Sequence, residues 1–184
     1  TVNLEYISAN PTGPLHIGHT RWAALGDAMV RQLRAAGAQV AAEYYINDAG
    51  RQMEKFGRSI LAAARGSEPP EGGYSGDHID ALAELLRTAR PGVLDLPEDE
   101  AVAQAIAIGY PAQLAAIQHT LDAFHVTFDV WFSEKELHDA GAVEEAIARL
   151  RAQGHVEDRD GAIWLRTTDF GDDKDRVLIR ANGV

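Results

Sequence analysis

His16 and His19, with Gly18 between them, close a stretch that reads NPTGPLHIGHT from Asn10 to Thr20. Imidazole N–H groups at this spacing can donate hydrogen bonds to phosphate oxygens as negative charge grows on them in a displacement at phosphorus. A glycine between them lets a nucleotide approach the backbone with no Cβ in the way. Upstream, Glu5 offers a carboxylate suited to a fork-shaped bond with a cationic group, ideally a guanidinium. Each residue also has a plainer reading: surface histidines capping a helix, a solvated carboxylate at Glu5, an Asx turn at Asn10 before Pro11. A metal site is a poorer fit, because His16 and His19 have no third ligand of suitable type nearby. With 7 His and 17 Gly in 184 residues, H-x-G-H arises by chance in roughly 2% of such chains, so placement decides its worth.

The elements around the motif supply that placement. Val2, Leu4 and Tyr6 alternate with Asn3 and Glu5, the period of a strand. Pro11 and Pro14 fix their own φ and push Asn10 and Gly13 towards extended backbone, so the next stretch is loop. From Trp22, apolar residues recur at Leu25, Met29 and Leu33, which draws one stripe along a helix that Gly37 can stop. Strand, loop and helix put Gly18 and His19 at a turn where free backbone N–H groups meet the positive end of the helix dipole, a place for an anion.

A second strand, Val40 to Ile46, runs into Asn47–Gly50 (NDAG) and a helix carrying Met53, Phe56 and Ile60. Strand-helix-strand-helix opens a parallel, doubly wound α/β sheet, in which ligands bind beyond the carboxyl ends of the strands. The Ser8–His19 and Asn47–Gly50 loops should therefore lie side by side. Asn47 and Asp48 read first as N-caps and second as part of a site on that loop.

From Gly66 the chain turns rich in turn formers and then mostly helical. One helix is expected over Asp80–Arg90 and another from the acidic PEDE at Pro97–Glu100 through a stripe of Leu114, Ile117, Leu121 and Phe124, with Pro111 kinking or dividing it. Val126–Phe132 alternates like a strand, and Ser133–Glu136 reads as a capping box opening a short helix. Val143, Ile147 and Leu150 mark a further helix ended by Gly154, before a hairpin over Val156–Arg166 about Asp160-Gly161. Trp131 and Trp164 read as packing residues, and GDDKDR at Gly171–Arg176 as a solvated charged turn.

The formal charge of −11, from 17 basic and 28 acidic residues, argues against a module that coats nucleic acid but leaves room for a local RNA contact. Absence of cysteine excludes a disulfide framework, a thiolate zinc site and a cysteine nucleophile, and suits a reducing cytosol. No apolar run approaches the roughly 20 residues that span a bilayer, and no signal-peptide pattern is present. The reading is a soluble, cytoplasmic chain with no membrane partner. Both ends look cut: Thr1 falls inside a strand pattern, and RVLIRANGV ends on a strand and an Asn182-Gly183 hairpin turn whose returning strand is missing. A piece of a longer protein is expected.

Four stretches, VNLEYISANPTGPLHIGHTR, EYYINDAGRQ, FDVWFSEKEL and TTDFGDDKDRVLIR, occur in an order that resembles the arginyl-tRNA synthetases, which are class I aminoacyl-tRNA synthetases. HIGH, His16 to His19, is similar to the signature of the class at large; SANPTGPLH and YYINDAG resemble the arginine enzymes in particular. The resemblance implies ATP-dependent activation of arginine to arginyl-adenylate, with Mg²⁺ on the ATP, and transfer to the terminal ribose of tRNA(Arg). It implies that His16, Gly18 and His19 hold ATP and that His16 and His19 stabilise its transition state. It implies that Glu5 reads the guanidinium, and that Ser8 and Asn10 lie near the α-amino and carboxylate groups.

The fold it implies is the first half of a Rossmann-like doubly wound parallel sheet carrying a mostly helical insertion with a small antiparallel β element. The expected parts are a nucleotide-binding half-fold at 1–66, the insertion at 67–168 and a strand leading back to the catalytic core at 169–184. Gly13 stands where some arginine enzymes carry a lysine associated with loss of the second, lysine-rich signature loop, so the parent is expected to have that loop. Lacking it and the tRNA-binding domains, this chain alone is expected to be inactive. Two other readings are an H-x-G-H nucleotidyltransferase, which leaves YYINDAG unexplained, and a non-catalytic synthetase-like binding module, which has no chemical need of Glu5, Asn10 and both histidines.

Overall fold

The computed structural model describes residues 1–183 and divides into two compact units, Thr1–Lys135 and the remainder from Glu136. In the first unit, strands β1 (Val2–Glu5), β2 (Val40–Ile46) and β3 (Val130–Ser133) form a parallel sheet in the order β1-β2-β3. Helix α1 (Ile17–Ala35) connects β1 to β2, and α2 (Gly50–Ala64), α3 (Asp77–Ala89) and α4 (Glu98–Ala123) connect β2 to β3. Successive parallel strands need such crossovers, because a two-residue turn cannot return the chain to the same end of the sheet. The stretch from 67 onward is mostly helical, yet it hands β3 to the sheet, where Tyr44 pairs with Trp131.

The unit has two cores. Tyr6, Ala42, Tyr44 and Ile46 of the sheet region bury against Ala23 and Val30 of α1 and Ile117 and Leu121 of α4. Met53, Phe56 and Ile60 of α2 bury against Ile79, Leu82 and Leu86 of α3 and Ala101, Val102 and Ala105 of α4. Helix α4 thus serves both cores, its first half in one and its second half in the other. Pro111 lies between these halves and does not divide the helix, which removes one of the two expected outcomes. A mid-helix proline costs about 3 kcal/mol, and burial on either side of it holds the helix together.

The apolar stripe expected to bury α1 faces outward: Trp22, Leu25 and Met29 are 51%, 49% and 41% exposed, while Ala23, Gly26 and Val30 are buried. The reason is a close approach. A Cβ at Gly26 would fall 2.1 Å from Cδ2 of Tyr6, so only a small-residue face fits over that ring. Trp22, Leu25 and Met29 instead line a shallow groove with Leu4 and Glu5 beside β1.

In the second unit, β4 (Val156–Arg159), β5 (Ala162–Leu165) and β6 (Arg176–Ile179) form an antiparallel sheet in that order. The β4–β5 turn has positive φ at both Asp160 (54°) and Gly161 (74°), the geometry whose twist matches the flanking strands. Helix α6 (Ala142–Ala152) precedes the sheet, and Arg151 pairs with Asp158 of β4. In the GDDKDR stretch, Asp172 and Asp173 accept from Arg176 at 2.8 and 2.9 Å, the solvated charged turn expected. At the chain's end, the Gly183 N–H donates to Arg180 C=O at 2.8 Å, closing the Asn182-Gly183 turn. A short helix, α5 (Glu134–Asp139), follows β3.

Candidate active site

Strands β1 and β2 end in the same way. The Ser8 N–H donates to Tyr6 C=O at 2.9 Å and the Asp48 N–H to Ile46 C=O at 3.0 Å, so each strand leaves the sheet through a three-residue turn. At the first turn Ile7 has φ 67° and Ser8 φ 41°. A β-branched residue at positive φ is strained, and such strain costs of order 1–3 kcal/mol per residue unless the surroundings over-determine it. They do here: Ser8 Oγ accepts from the Tyr45 N–H at 3.1 Å, Ala9 C=O accepts from the Tyr44 hydroxyl at 3.0 Å, and Pro11 and Thr12 are buried. The Ser8–His19 and Asn47–Gly50 loops therefore lie side by side at the carboxyl ends of adjacent strands, as expected.

His16 is the N-cap of α1, with extended φ and ψ of −126° and 175°. Its Nδ1 accepts from the Gly18 N–H at 3.0 Å, and Nδ1 of His19 accepts from the His16 N–H at 3.1 Å. The two imidazoles thus form a capping box, a role that Ser or Thr with Glu or Gln usually fills, and their rings lie 3.9 Å apart. The His19 N–H donates to His16 C=O at 2.8 Å. This corrects the expected anion site of free backbone N–H groups, since those of 16, 18 and 19 are all satisfied internally. A neutral imidazole that accepts at Nδ1 donates at Nε2, so the donors left at this helix start include two Nε2–H groups. Burial, followed by the neighbouring His16, lowers the His19 pKa from the usual histidine value, which favours that neutral form. The space a side chain would fill at Gly18 is also taken, because a Cβ there would meet Cε1 of His16 at 2.8 Å.

Glu5 is exposed at the carboxyl end of β1, and its carboxylate has no hydrogen bond or ion pair among the described residues. Asn10 is exposed as well and its side chain makes no hydrogen bond among them, so the Asx turn is not formed. Asn10 lines a hollow of about 210 Å³ with Thr12, Gly13 and His19. On its other side, His19 borders a second hollow of about 370 Å³ whose walls include His16, Leu15, Ile17 and Phe124.

Neither Asn47 nor Asp48 is the N-cap of α2; that position is Ala49, with no side-chain bond. The Asp48 carboxylate turns away instead, accepting from the hydroxyls of Tyr110 at 2.8 Å and Ser133 at 2.7 Å and from the Lys135 N–H at 2.9 Å. It ties the end of β2 to α4 and to the end of β3. Sequence reasoning missed Tyr45 and Glu134. Burial, a hydrogen bond with Glu134, and the charges of Glu134, Asp48 and Glu5 raise the Tyr45 phenol pKa. Glu5, Asp48 and Glu134, at or just past the carboxyl ends of the three strands, thus all bear on this phenol. Their sequence signal was position: each stands at or just past the carboxyl end of a parallel strand.

The family model described as tRNA synthetases class I (R), catalytic domain, matches residues 1–184. The chain belongs to this arginyl-tRNA synthetase family. It is 63% identical over 182 residues to an arginine–tRNA ligase of Paenarthrobacter aurescens and 62% identical over 183 residues to one of Pseudarthrobacter chlorophenolicus. These matches cover 99% and 100% of the chain and 33% of each relative, so the chain spans about a third of the length of these arginine–tRNA ligases. Among solved structures, a putative arginyl-tRNA synthetase of Campylobacter jejuni matches with TM-score 0.85 and 36% identity, over 99% of this chain and 41% of that one. The arginyl-tRNA synthetase of Thermus thermophilus matches with TM-score 0.71 and 26% identity, over the whole chain and 33% of that one. These relatives share the α/β fold: a parallel sheet, a helical stretch and a small antiparallel sheet. No helix among the described residues is long and apolar enough to cross a membrane.

Proposed function

We propose that this chain is the part of an arginine–tRNA ligase that binds ATP phosphates and reads arginine, within a longer protein that charges tRNA(Arg) in the cytoplasm. One observation carries the reading: a capping box of two histidines leaves Nε2–H donors at the head of α1, while Glu5, at the end of the strand before it, has no partner among the described residues. Phosphate donors and a guanidinium acceptor then stand at the two ends of one loop. The arginine carboxylate attacks the α-phosphorus of ATP, the bond to pyrophosphate breaks, and arginyl-adenylate forms. A terminal ribose hydroxyl of the tRNA then displaces AMP. Charge grows on the phosphate oxygens as that first bond breaks, and pre-oriented donors act on it there. Mg²⁺ belongs to the substrate, on the nucleotide phosphates.

Glu5 accepts the guanidinium through parallel N–H···O bonds, a geometry that a lysine substrate cannot match. Ser8 keeps its O–H for the α-amino acid end of the substrate, because its Oγ accepts from Tyr45. Asn10, in the adjoining hollow, supplies an amide there. Asn47 and Asp48 shape the neighbouring loop, Asp48 through its three bonds. Within this reading 1–66 is the nucleotide-binding half-fold, 67–168 the insertion, which also lends β3 to the sheet of that half-fold, and 169–184 the return to the catalytic core.

The test is ATP–pyrophosphate exchange by the full-length protein with each standard amino acid in turn, in the presence of total tRNA. Exchange with arginine alone is expected, and none from residues 1–184 by themselves. Exchange with another amino acid overturns the substrate, and nucleotide transfer without any amino acid favours a nucleotidyltransferase.

A further inference from the structure

We infer that Gly18 is a positioning residue for His16: it is glycine so that the imidazole of His16 can fold back over its backbone and be locked in one tautomer. Three observations carry this. The His16 Nδ1 accepts from the N–H of Gly18 itself at 3.0 Å. A Cβ at Gly18 would lie 2.8 Å from Cε1 and 2.9 Å from Nδ1 of that ring, distances no side chain tolerates without moving the imidazole. Finally, φ at Gly18 is not among the positive values of the chain, so left-handed backbone does not require glycine here.

This gives the glycine a role besides admitting a nucleotide, since a side chain there would meet the ring of His16. The bond fixes two things at once. It holds the ring in place, and it demands an unprotonated Nδ1, which puts the proton on Nε2. An exposed histidine without such a bond samples both tautomers and several rotamers, and a phosphate would meet a donor only part of the time. His19 is locked independently by the His16 N–H, so it serves as an internal control. The inference deepens the reading of His16 as a phosphate donor, but the lock stands on geometry of the chain alone.

The experiment is ¹⁵N NMR of the histidine rings in residues 1–184, wild type against Gly18→Ala. Wild type should show His16 as a single Nε2–H form, with scalar coupling across the hydrogen bond from the residue 18 amide to Nδ1. In Gly18→Ala that coupling should vanish and His16 become a mixture of tautomers, while His19 keeps its own coupling. The variant should stay folded with nearly unchanged Tm, because alanine's better helix propensity offsets the lost cap. Retention of the coupling in Gly18→Ala would overturn the inference.

Two further variants separate the ring's two nitrogens. His16→Asn presents an acceptor where Nδ1 was and should hold the helix start; His16→Gln reaches towards Nε2 but leaves the amide uncapped and should lose about 2–4 °C in Tm. Equal Tm values for the two would also count against the lock. In the full-length protein, Gly18→Ala should lower kcat for arginine-dependent exchange with little change in arginine KM. A normal kcat with the coupling absent would sink the catalytic use of the lock, whereas an inactive wild type would sink the proposed function and leave the lock standing.

Discussion

Replacing Asp48 should loosen the carboxyl end of the sheet more than any loop aspartate would by virtue of its position. Its carboxylate accepts three hydrogen bonds, from Tyr110, Ser133 and Lys135, at 2.7 to 2.9 Å. A hydrogen bond to a charged group contributes about 1.5–3 kcal/mol net. Asp48 is only half-buried, so water can satisfy part of what is lost, and bonds sharing one acceptor are not additive. Asp48→Ala should therefore cost about 3 kcal/mol, lowering Tm by roughly 6–12 °C. Asp48→Asn should cost about half as much: with its oxygen towards the Lys135 N–H, its amide donates to both hydroxyls, which can turn to accept. Urea unfolding of both variants at pH 7.5 checks the values. A loss below about 0.5 kcal/mol for Asp48→Ala, the size of an ordinary surface change, would refute the view that this side chain latches β2 to α4 and β3.

In the full-length protein, Glu5→Gln should raise the arginine KM by about tenfold to a hundredfold with ATP KM unchanged; steady-state exchange kinetics decide, and an unaltered arginine KM removes Glu5 from the site. His19→Ala should depress kcat by about 10²-fold, the usual loss for one transition-state donor, so a pure KM effect there would count against its role. Gly26→Ala should destabilise by about 2 kcal/mol despite the gain in helix propensity, since overpacking costs about 1–3 kcal/mol and here it falls on a buried tyrosine ring; a stable variant in urea would mean that α1 can move off Tyr6. For pH, His19 has a folded pKa below its unfolded value, so the unfolded chain holds more protons in between. The stability His19 contributes is full above about 6.5 and is lost as pH falls below it. His19→Gln keeps a capping-box acceptor but does not titrate, so its urea midpoint should fall less than wild type between pH 7.5 and 5.5, and parallel curves would contradict this.

What the sequence conveyed and what it hid differ by physical kind. Strand β2 falls on Val40–Ile46 as read, and Met53, Phe56 and Ile60 of α2 are buried as their spacing required. Those are local matters, since period and punctuation settle where an element runs. Which face of α1 turns inward is not local. Trp22-Leu25-Met29 and Ala23-Gly26-Val30 have the same periodicity, and hydrophobicity favours the first; the second wins because Tyr6 leaves no room for a Cβ at Gly26.

Asp48 was misjudged for a related reason. Asp48 has the residue type of an N-cap and stands two residues before α2, yet two hydroxyls and an amide from distant elements claim it. His16 and His19 cap α1 together, the plainer of the two readings these residues carried, although histidine is not among the preferred caps. Asp48 and the two histidines each fill a role that residue type alone does not favour, and each stands at the carboxyl end of the parallel sheet. Local preference yields where a fold holds groups for chemistry, and Ile7, a β-branched residue at φ 67° in the same loop, is the backbone counterpart. Residues whose roles their types do not foretell thus gather at the carboxyl end of the sheet, beside His16, His19 and Glu5.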